Sequence, residues 1–396
     1  MSVWSSLVGQ DAAVAQLSEA AVGARAIIAG RGGGRASDEA RSMSHAWLIT
    51  GPPGSGRSVA ARAFAAALQC TGEEPGCGAC PGCRTTMART NADVVFAATE
   101  TSIINVETAR SLVLQAQSSP SQGLWRVIVV EDADRLGESG ANALLKAIEE
   151  PPEHTVWLLC APSPEDMIAT IRSRCRHLGL RIPTAAAVAD LLVREGVATP
   201  DVALEAARAA QSHIGLARAL ARDPQMRERR RAIITAPASV RSVGEAVMAA
   251  DRLLETAKTQ ADAQVAERNA REKAELLRQL GMEEGESATK ASRTMIRQLE
   301  EDQKRRSKRA LTDAIDRALI DLLAIYRDVL MVQVGGDGEL INTDLSDLVH
   351  EIAQDSTPRQ TLARVDHIET ARKRLVSNGN PLLVLEDMAI SLRPQA

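Results

Sequence analysis

The sequence is short of aromatic residues, with two Phe, one Tyr and four Trp among 396 residues, 2% in all. Its core must therefore rest on Ala, Leu, Val and Ile, which favours closely packed helices and a Val/Ile-rich sheet. An excess of positive charge is also missing. The formal net charge is −4, whereas a chain that covers DNA over a wide surface is usually basic, so any DNA contact is expected to be local or shared with partners. No run approaches the roughly 20 apolar residues that span a bilayer. The opening Met1-Ser-Val-Trp-Ser-Ser has no basic stretch leading into an apolar one, so neither a signal peptide nor a membrane role is expected. The expected location is the cytoplasm, where cysteines stay reduced and a cysteine cluster points to a metal rather than to disulfides.

What is present is ordinary for a soluble globular protein: 45% hydrophobic and 25% charged residues. The length suits two or three domains, each large enough to bury its own core. Residues Gln10 to Ala29 read as an Ala-rich helix, followed by a glycine-rich loop from Gly30 to Asp38, taken as a plain surface insertion because no strand precedes it. His45 to Thr50 reads as a strand, Val59 to Leu68 as a helix and Val106 to Gln117 as another. Trp125 to Val130 and Thr155 to Ala161 are apolar runs expected of central parallel strands, and a helix between them stops at Pro151-Pro152. This alternation predicts a doubly wound α/β domain over residues 1–181. Beyond Ile182-Pro183 the pattern is all-helical, with short helices at Ala186–Glu195 and Asp201–Ala209. From about Thr256 to Arg309 the chain is densely charged and includes the basic run Gln303-Lys-Arg-Arg-Ser-Lys-Arg. It reads as a solvated helical hairpin or a partly disordered insertion. Leu311, Ile315, Ala318, Leu322 and Ile325 then recur at helical spacing, a packing stripe or subunit seam.

Gly51-Pro52-Pro-Gly54-Ser55-Gly56-Arg57-Ser58 fits the phosphate-loop pattern G-x-x-x-x-G-K-[ST], with a strand before it and a helix after it, except that Arg57 stands where Lys belongs. The glycines let backbone N–H groups close around an anion, and Ser58 takes the place of the Mg²⁺-ligating hydroxyl. Arg is longer, planar and hydrogen-bonds as a fork, so the exchange is not conservative. Two readings stay open, a loop that holds ATP and Mg²⁺ and a strand–helix turn kept without ligand; efficient hydrolysis is not expected. The partner strand ends in Glu131-Asp132, where Asp-Glu is the usual order. One side chain is thus a methylene too long and the other a methylene too short, and misplacement by about 1 Å can cost on the order of a hundredfold in rate.

Cys70, Cys77, Cys80 and Cys83 form C-x₆-C-x₂-C-x₂-C with Gly76, Gly78, Pro81 and Gly82 between them. Four thiolates at this spacing suit a closed tetrahedral Zn²⁺ site, structural because no position is left for water.

Three strings together resemble the clamp-loader subunits of bacterial DNA polymerase III, an AAA+ family. They are Asn142-Ala-Leu-Leu-Lys-Ala-Ile-Glu-Glu-Pro-Pro, Ser173-Arg174-Cys175, and Leu7-Val8-Gly9-Gln10, which resembles the family's adenine-side motif. Their order matches across residues 1–181. The resemblance implies an AAA+ P-loop domain with a zinc-binding insertion at 70–83, a small helical lid at 182–225, and a helical collar at 226–396 that carries the charged stretch at about 256–309. Within the family the altered phosphate loop and acidic pair resemble the delta-prime branch rather than gamma/tau. By position Arg174 would then be a trans arginine finger, Arg218 in Gly215-Leu-Ala-Arg218 a sensor-2 residue touching nucleotide phosphate, and Cys160 or Ala161 the occupant of the sensor-1 position. The implied partners are gamma/tau and delta subunits in a hetero-pentamer, the sliding clamp, and primer–template DNA through the complex. The chain would belong to a nucleotidyltransferase holoenzyme without carrying a polymerase site. The rival readings are an ATP-hydrolysing gamma/tau-like motor, a nucleotide-free zinc scaffold, and a helicase loader or branch-migration motor, the last opposed by the cysteine insertion and the Glu-Glu-Pro-Pro string.

Overall fold

A computed structural model describes residues 2–30, 41–97, 104–280 and 290–393. The glycine-rich loop, past Gly30, lies outside them. Contacts divide the chain into two units, Met1–Ala221 and Arg222–Ala396.

The first unit is built on a five-stranded sheet, β1 (Ala46–Thr50), β2 (Val94–Ala97), β3 (Arg126–Val130), β4 (Thr155–Ala161) and β5 (Arg176–Gly179), in the order β2-β3-β4-β1-β5. Every pairing is parallel. Strands buried on both faces need apolar side chains at successive positions, which is why β1, β3 and β4 read as near-continuous apolar runs. Alternate residues serve opposite faces. Trp47, Ile49, Val127, Val129 and Leu158 pack against α1 (Asp11–Ile28) and α2 (Arg57–Leu68). Ala46, Leu48, Ile128, Val130 and Trp157 pack against α4 (Val106–Ala116) and α5 (Glu138–Glu149). The expected reliance on alanine holds at the first of these layers, where Ala20, Ala21 and Ala24 of α1 and Ala60, Ala61 and Ala63 of α2 are buried. A short helix α3 (Pro81–Met87) lies in the cysteine segment, α6 (Ala169–Arg172) precedes β5, and α7 (Ala185–Arg194), α8 (Pro200–Ala209) and α9 (Ile214–Arg222) form the small helical group. The sequence reading missed the two edge strands: β2 is only four residues long, and β5 carries Arg176 and His177 among its four.

Asp93 fixes the turn that feeds β3. Its side chain is buried and accepts from the Ser121 N–H at 2.7 Å, the Gln122 N–H at 2.8 Å, the Gly123 N–H at 2.6 Å and the Ser121 hydroxyl at 3.0 Å. Burial opposes its charge, but these donors outweigh it and hold its pKa below the usual carboxylate value. A depressed native pKa gives stability that is fully present above the unfolded value of about 3.9 and is lost as pH falls through the lower native value. Asp93→Asn turns a donor toward these donors and should cost about 2–4 kcal/mol at neutral pH. Urea melts of variant and parent should differ at neutral pH and draw together as pH falls beneath the unfolded value of about 3.9; a gap that stays constant through that fall would reject this account.

The second unit comprises α10 (Pro224–Ser239), α11 (Val243–Gln279), α12 (Lys290–Val334), α13 (Ser346–Gln354), α14 (Pro358–Val376) and α15 (Pro381–Ser391). The stripe Ile315, Ala318, Leu322 and Ile325 on α12 is buried, with Leu311 half-buried beside it. All but Ala318 pack in the unit's own core, so this stripe is internal packing. At its centre Arg230 donates to Asp321 at 3.0 Å and to Asn342 at 2.6 Å, and Asp328 accepts from the Asn342 N–H and side-chain amide. The described residues of the charged stretch are the far parts of α11 and α12 lying against each other. Ala261, Val265 and Ala310 form a thin seam there. The basic run is tied down locally: Gln303 donates to the Asn269 carbonyl, Arg306 bonds Asn269 and Glu272, and Arg305 bonds Asp302. A charged face engaged this way is a solvated hairpin surface.

Candidate phosphate loop and cysteine centre

The phosphate loop leaves the C-terminal end of β1, beside β4, and enters α2 at Arg57. Gly54 and Gly56 have φ of 89° and 90°, the left-handed region that favours glycine. Close approach also demands glycine here: a Cβ on Gly54 would sit 3.0 Å from the Cα of His213, and one on Gly51 would sit 2.8 Å from the Leu180 carbonyl oxygen. Ser55 is buried and its hydroxyl has no hydrogen-bond partner. Pro52 is exposed, and Ser58 lies half-buried in the first turn of α2. The Arg57 guanidinium folds back and donates to the Gly51 carbonyl across the loop.

At the end of β3, Glu131 forms an ion pair at 2.5 Å with Arg89, whose guanidinium also lies 5.0 Å from the Phe96 ring centroid. Arg89 has φ of 60°, and follows the helix of the cysteine segment. Arg62 on α2 reaches the same place; its Nε is buried without a partner. Desolvation, and then the charge of Arg89, lower the Arg62 pKa, against the pull of Glu131. Asp134 is pushed up by burial and by neighbouring Asp132. Cys160 in the expected sensor-1 position is fully buried in β4, its thiol pushed up to about 12 by desolvation and by Glu131.

Gln10 is buried and faces the backbone: its amide donates to the Arg181 carbonyl at 2.5 Å and to the Ser55 carbonyl at 3.4 Å, and accepts from the Arg181 N–H at 3.2 Å. It clips the phosphate loop to the chain leaving β5. Gly9, with φ of 66°, packs on Pro183. Leu7, Val8 and Gly9 line a surface groove of about 810 Å³ with Ala187, Asp190 and Arg194 of α7. The adenine-side string thus shares a concave surface with the small helical group, and no phosphate-loop residue lines it. Arg218 donates through Nε and Nη2 to Glu195, at 2.9 Å each. Arg174 stands at the surface, 40% exposed, and its guanidinium bonds the Glu149 carboxylate, the Thr170 carbonyl at 2.9 Å and the Ser173 hydroxyl at 3.2 Å. The structure therefore brings the Glu-Glu-Pro-Pro and Ser-Arg-Cys strings together through Glu149 and Arg174.

The four clustered cysteines converge. All four Sγ atoms lie within 4.8 Å of one another, and those of Cys70 and Cys80 are 3.8 Å apart. Zinc–sulfur bonds of about 2.3 Å in a tetrahedron require sulfur–sulfur edges of about 3.8 Å, so the set fits the ion. Cys80 caps α3 by accepting from the Cys83 N–H at 3.4 Å, and Cys77 accepts from the Cys80 N–H at 3.4 Å. Burial works against the Cys80 thiolate, but the Cys83 and Thr71 amides outweigh it and bring its pKa down to about 6. Cys77 is lowered by the Cys80 and Ala79 amides, while burial raises Cys83. The loop is tightly folded: a Cβ on Gly82 would lie 2.0 Å from the Gln69 carbonyl oxygen. Its carbonyls at Cys70, Gly72 and Glu73 accept from Arg25 of α1. The N-terminal segment rests on it, with Val3 N–H donating to the Gly76 carbonyl at 2.9 Å and Trp4 Nε1 to the Pro75 carbonyl at 3.2 Å. Zinc bound here would supply cross-linking of the loop and no reactive position.

Sequence reading did not single out Arg62, Arg89 or Glu195, none of which lies in a string recognisable as a nucleotide motif. Glu149 stands in the Glu-Glu-Pro-Pro string, but its pairing with Arg174, 25 residues away, left no local signal.

Residues 35–184 match the family model described as DNA polymerase III, delta subunit. The DNA polymerase III subunit gamma/tau of Mycobacterium tuberculosis H37Rv is 32% identical over 205 residues, 50% of this chain and 32% of that one. Subunit delta' of Escherichia coli K12 is 35% identical over 191 residues, 47% of this chain and 57% of its own. Subunit delta' of Pseudomonas aeruginosa is 36% identical over 180 residues, 44% and 52% respectively. The chain spans about a third to just over half of the length of these relatives.

Proposed function

We propose that this chain, which belongs to the DNA polymerase III clamp-loader family, serves as a delta-prime-type subunit that completes a neighbouring ATPase site with Arg174. The observation that carries this reading is the placement of Arg174, exposed on the surface and held by Glu149, Thr170 and Ser173 rather than buried in a core ion pair. An exposed pair of this kind is worth about 0–1 kcal/mol, enough to orient a guanidinium and weak enough to release it. A guanidinium delivered from a neighbour neutralises charge developing on a transferred phosphoryl group. The chain's own site points the other way: Arg57 is folded onto Gly51, and Glu131 is held by Arg89. In this reading the loop holds ATP with little turnover, Val8, Gly9 and Gln10 frame the adenine side, and Arg218 must exchange Glu195 for a phosphate to act on nucleotide. The four cysteines hold structural zinc. Partners are gamma/tau and delta subunits in a hetero-pentamer, the sliding clamp, and primer–template DNA through the complex.

Mixing the purified chain with gamma/tau and delta subunits tests this. A single complex on size-exclusion chromatography that loads the clamp on primed DNA, alongside no ATPase above background for the chain alone, is the expected outcome. Failure to co-elute would reject the assignment, and turnover by the isolated chain would make it a gamma/tau-type motor.

A further inference from the structure

A phosphate loop of the usual kind holds its nucleotide with Mg²⁺, which bridges phosphate oxygens and is itself held by the acidic residue ending the neighbouring strand. Here that residue is Glu131, and its carboxylate already carries a cation: Arg89 sits 2.5 Å away. The Glu131 carboxylate is sheltered, its side chain 13% exposed, while that of Arg89 is 42% exposed. Mg²⁺ needs near-ideal octahedral geometry and dehydrates reluctantly, so it competes poorly for a carboxylate that is one methylene too long and already paired. Burial, and then the charge of neighbouring Asp132, push the Asp134 pKa up.

Positive charge, by contrast, has accumulated. Arg57 crosses the loop to the Gly51 carbonyl. Arg62 stands close enough to Arg89 and Glu131 to feel both charges, with its Nε buried and unpartnered. The buried hydroxyl of Ser55, in the loop itself, is unpartnered too. A planar guanidinium engages phosphate bidentately, and it is more weakly hydrated than an ammonium. Arg57 and Arg62, with Arg89 neutralising Glu131, can provide the neutralisation that a divalent cation otherwise provides.

From this arrangement we infer that the loop binds the phosphates of a nucleoside di- or triphosphate without magnesium, with Arg57 and Arg62 as the phosphate-facing cations and Arg89 occupying the carboxylate that the metal would need. The inference rests on the reading of the loop as a nucleotide site and goes beyond it. It also accounts for a site that binds without turnover, because the ion that would align the phosphates for attack has no place.

Calorimetric titration of the full chain with ADP and with ATP, in metal-depleted buffer and again with millimolar magnesium chloride, tests it. No strong chelator is added, and bound zinc is measured before and after. Wild-type affinities should agree within about twofold between the two buffers, less than 0.5 kcal/mol in binding free energy. Arg89→Gly frees Glu131 and suits the left-handed backbone at that position, so its nucleotide affinity should become at least about fivefold tighter with magnesium than without. Wild-type binding that is tenfold or more tighter with magnesium would overturn the inference while leaving the loop a nucleotide site. Absence of binding in both buffers would overturn the inference together with the reading beneath it. An Arg89→Gly protein still indifferent to magnesium would remove Arg89 from the explanation.

Discussion

Replacing Arg174 by alanine should lower the clamp- and DNA-stimulated ATPase of the reassembled complex by about 10³-fold or more, the range known for arginine fingers. The complex should still assemble, and the isolated chain should melt almost as before. Arg174 is exposed and its partners are Glu149, the Thr170 carbonyl and Ser173, so truncation costs at most about 1 kcal/mol of stability. Arg174→Lys keeps the charge but loses the planar fork, and should recover only part of the rate. The informative readout is the rate at saturating ATP with the complex shown intact by chromatography. An unchanged rate would leave the chain a scaffold.

The second large effect concerns the cysteines. Cys83→Ser should reduce bound zinc from about one ion per chain to a small fraction, as measured by elemental analysis, and should loosen the first unit. Cys83 is fully buried, its neighbour Gly82 lies against the Gln69 backbone, and the N-terminal residues rest on the same loop. Structural zinc is worth about 10–16 kcal/mol in isolated zinc-finger peptides. The first unit has its own core, so only the local part of that is expected: about 3 kcal/mol, or roughly 6–12 °C in Tm for a unit of this size. Zinc binding releases protons from the thiols, so affinity should fall as pH falls. Zinc-free protein with an unaltered melt would mean that the cysteines are plain buried thiols.

Legibility differed between the two halves of the problem. β1, β3 and β4 were readable because a strand buried on both faces has no polar position to blur its run. β2 and β5 were not, because edge strands of four residues with Arg176 and His177 among them carry no such run. The cysteine cluster was readable because its four cysteines fall within fourteen residues. The phosphate loop was readable as a string, but its state was not: the Arg89–Glu131 pair joins positions 42 apart and the Gln10–Arg181 bonds positions 171 apart, and spacing of that kind leaves no local pattern. The charged stretch showed its helical content and its exposure, while the seam of Ala261, Val265 and Ala310 depends on residues too small to stand out against it.

The distribution of the few aromatic residues gives the molecule a division of optical signals. All four tryptophans, Trp4, Trp47, Trp125 and Trp157, belong to the first unit, and the single tyrosine, Tyr326, is buried in the second. Indole emission therefore reports only on the unit that carries the phosphate loop and the cysteines. Trp47 and Trp157 are fully buried in opposite layers of the sheet, whereas Trp4 is partly exposed and bonded to the Pro75 carbonyl of the cysteine loop. The protein thus carries a native fluorophore resting against its cysteine loop, and the opening of that loop can be followed by light without attaching any label.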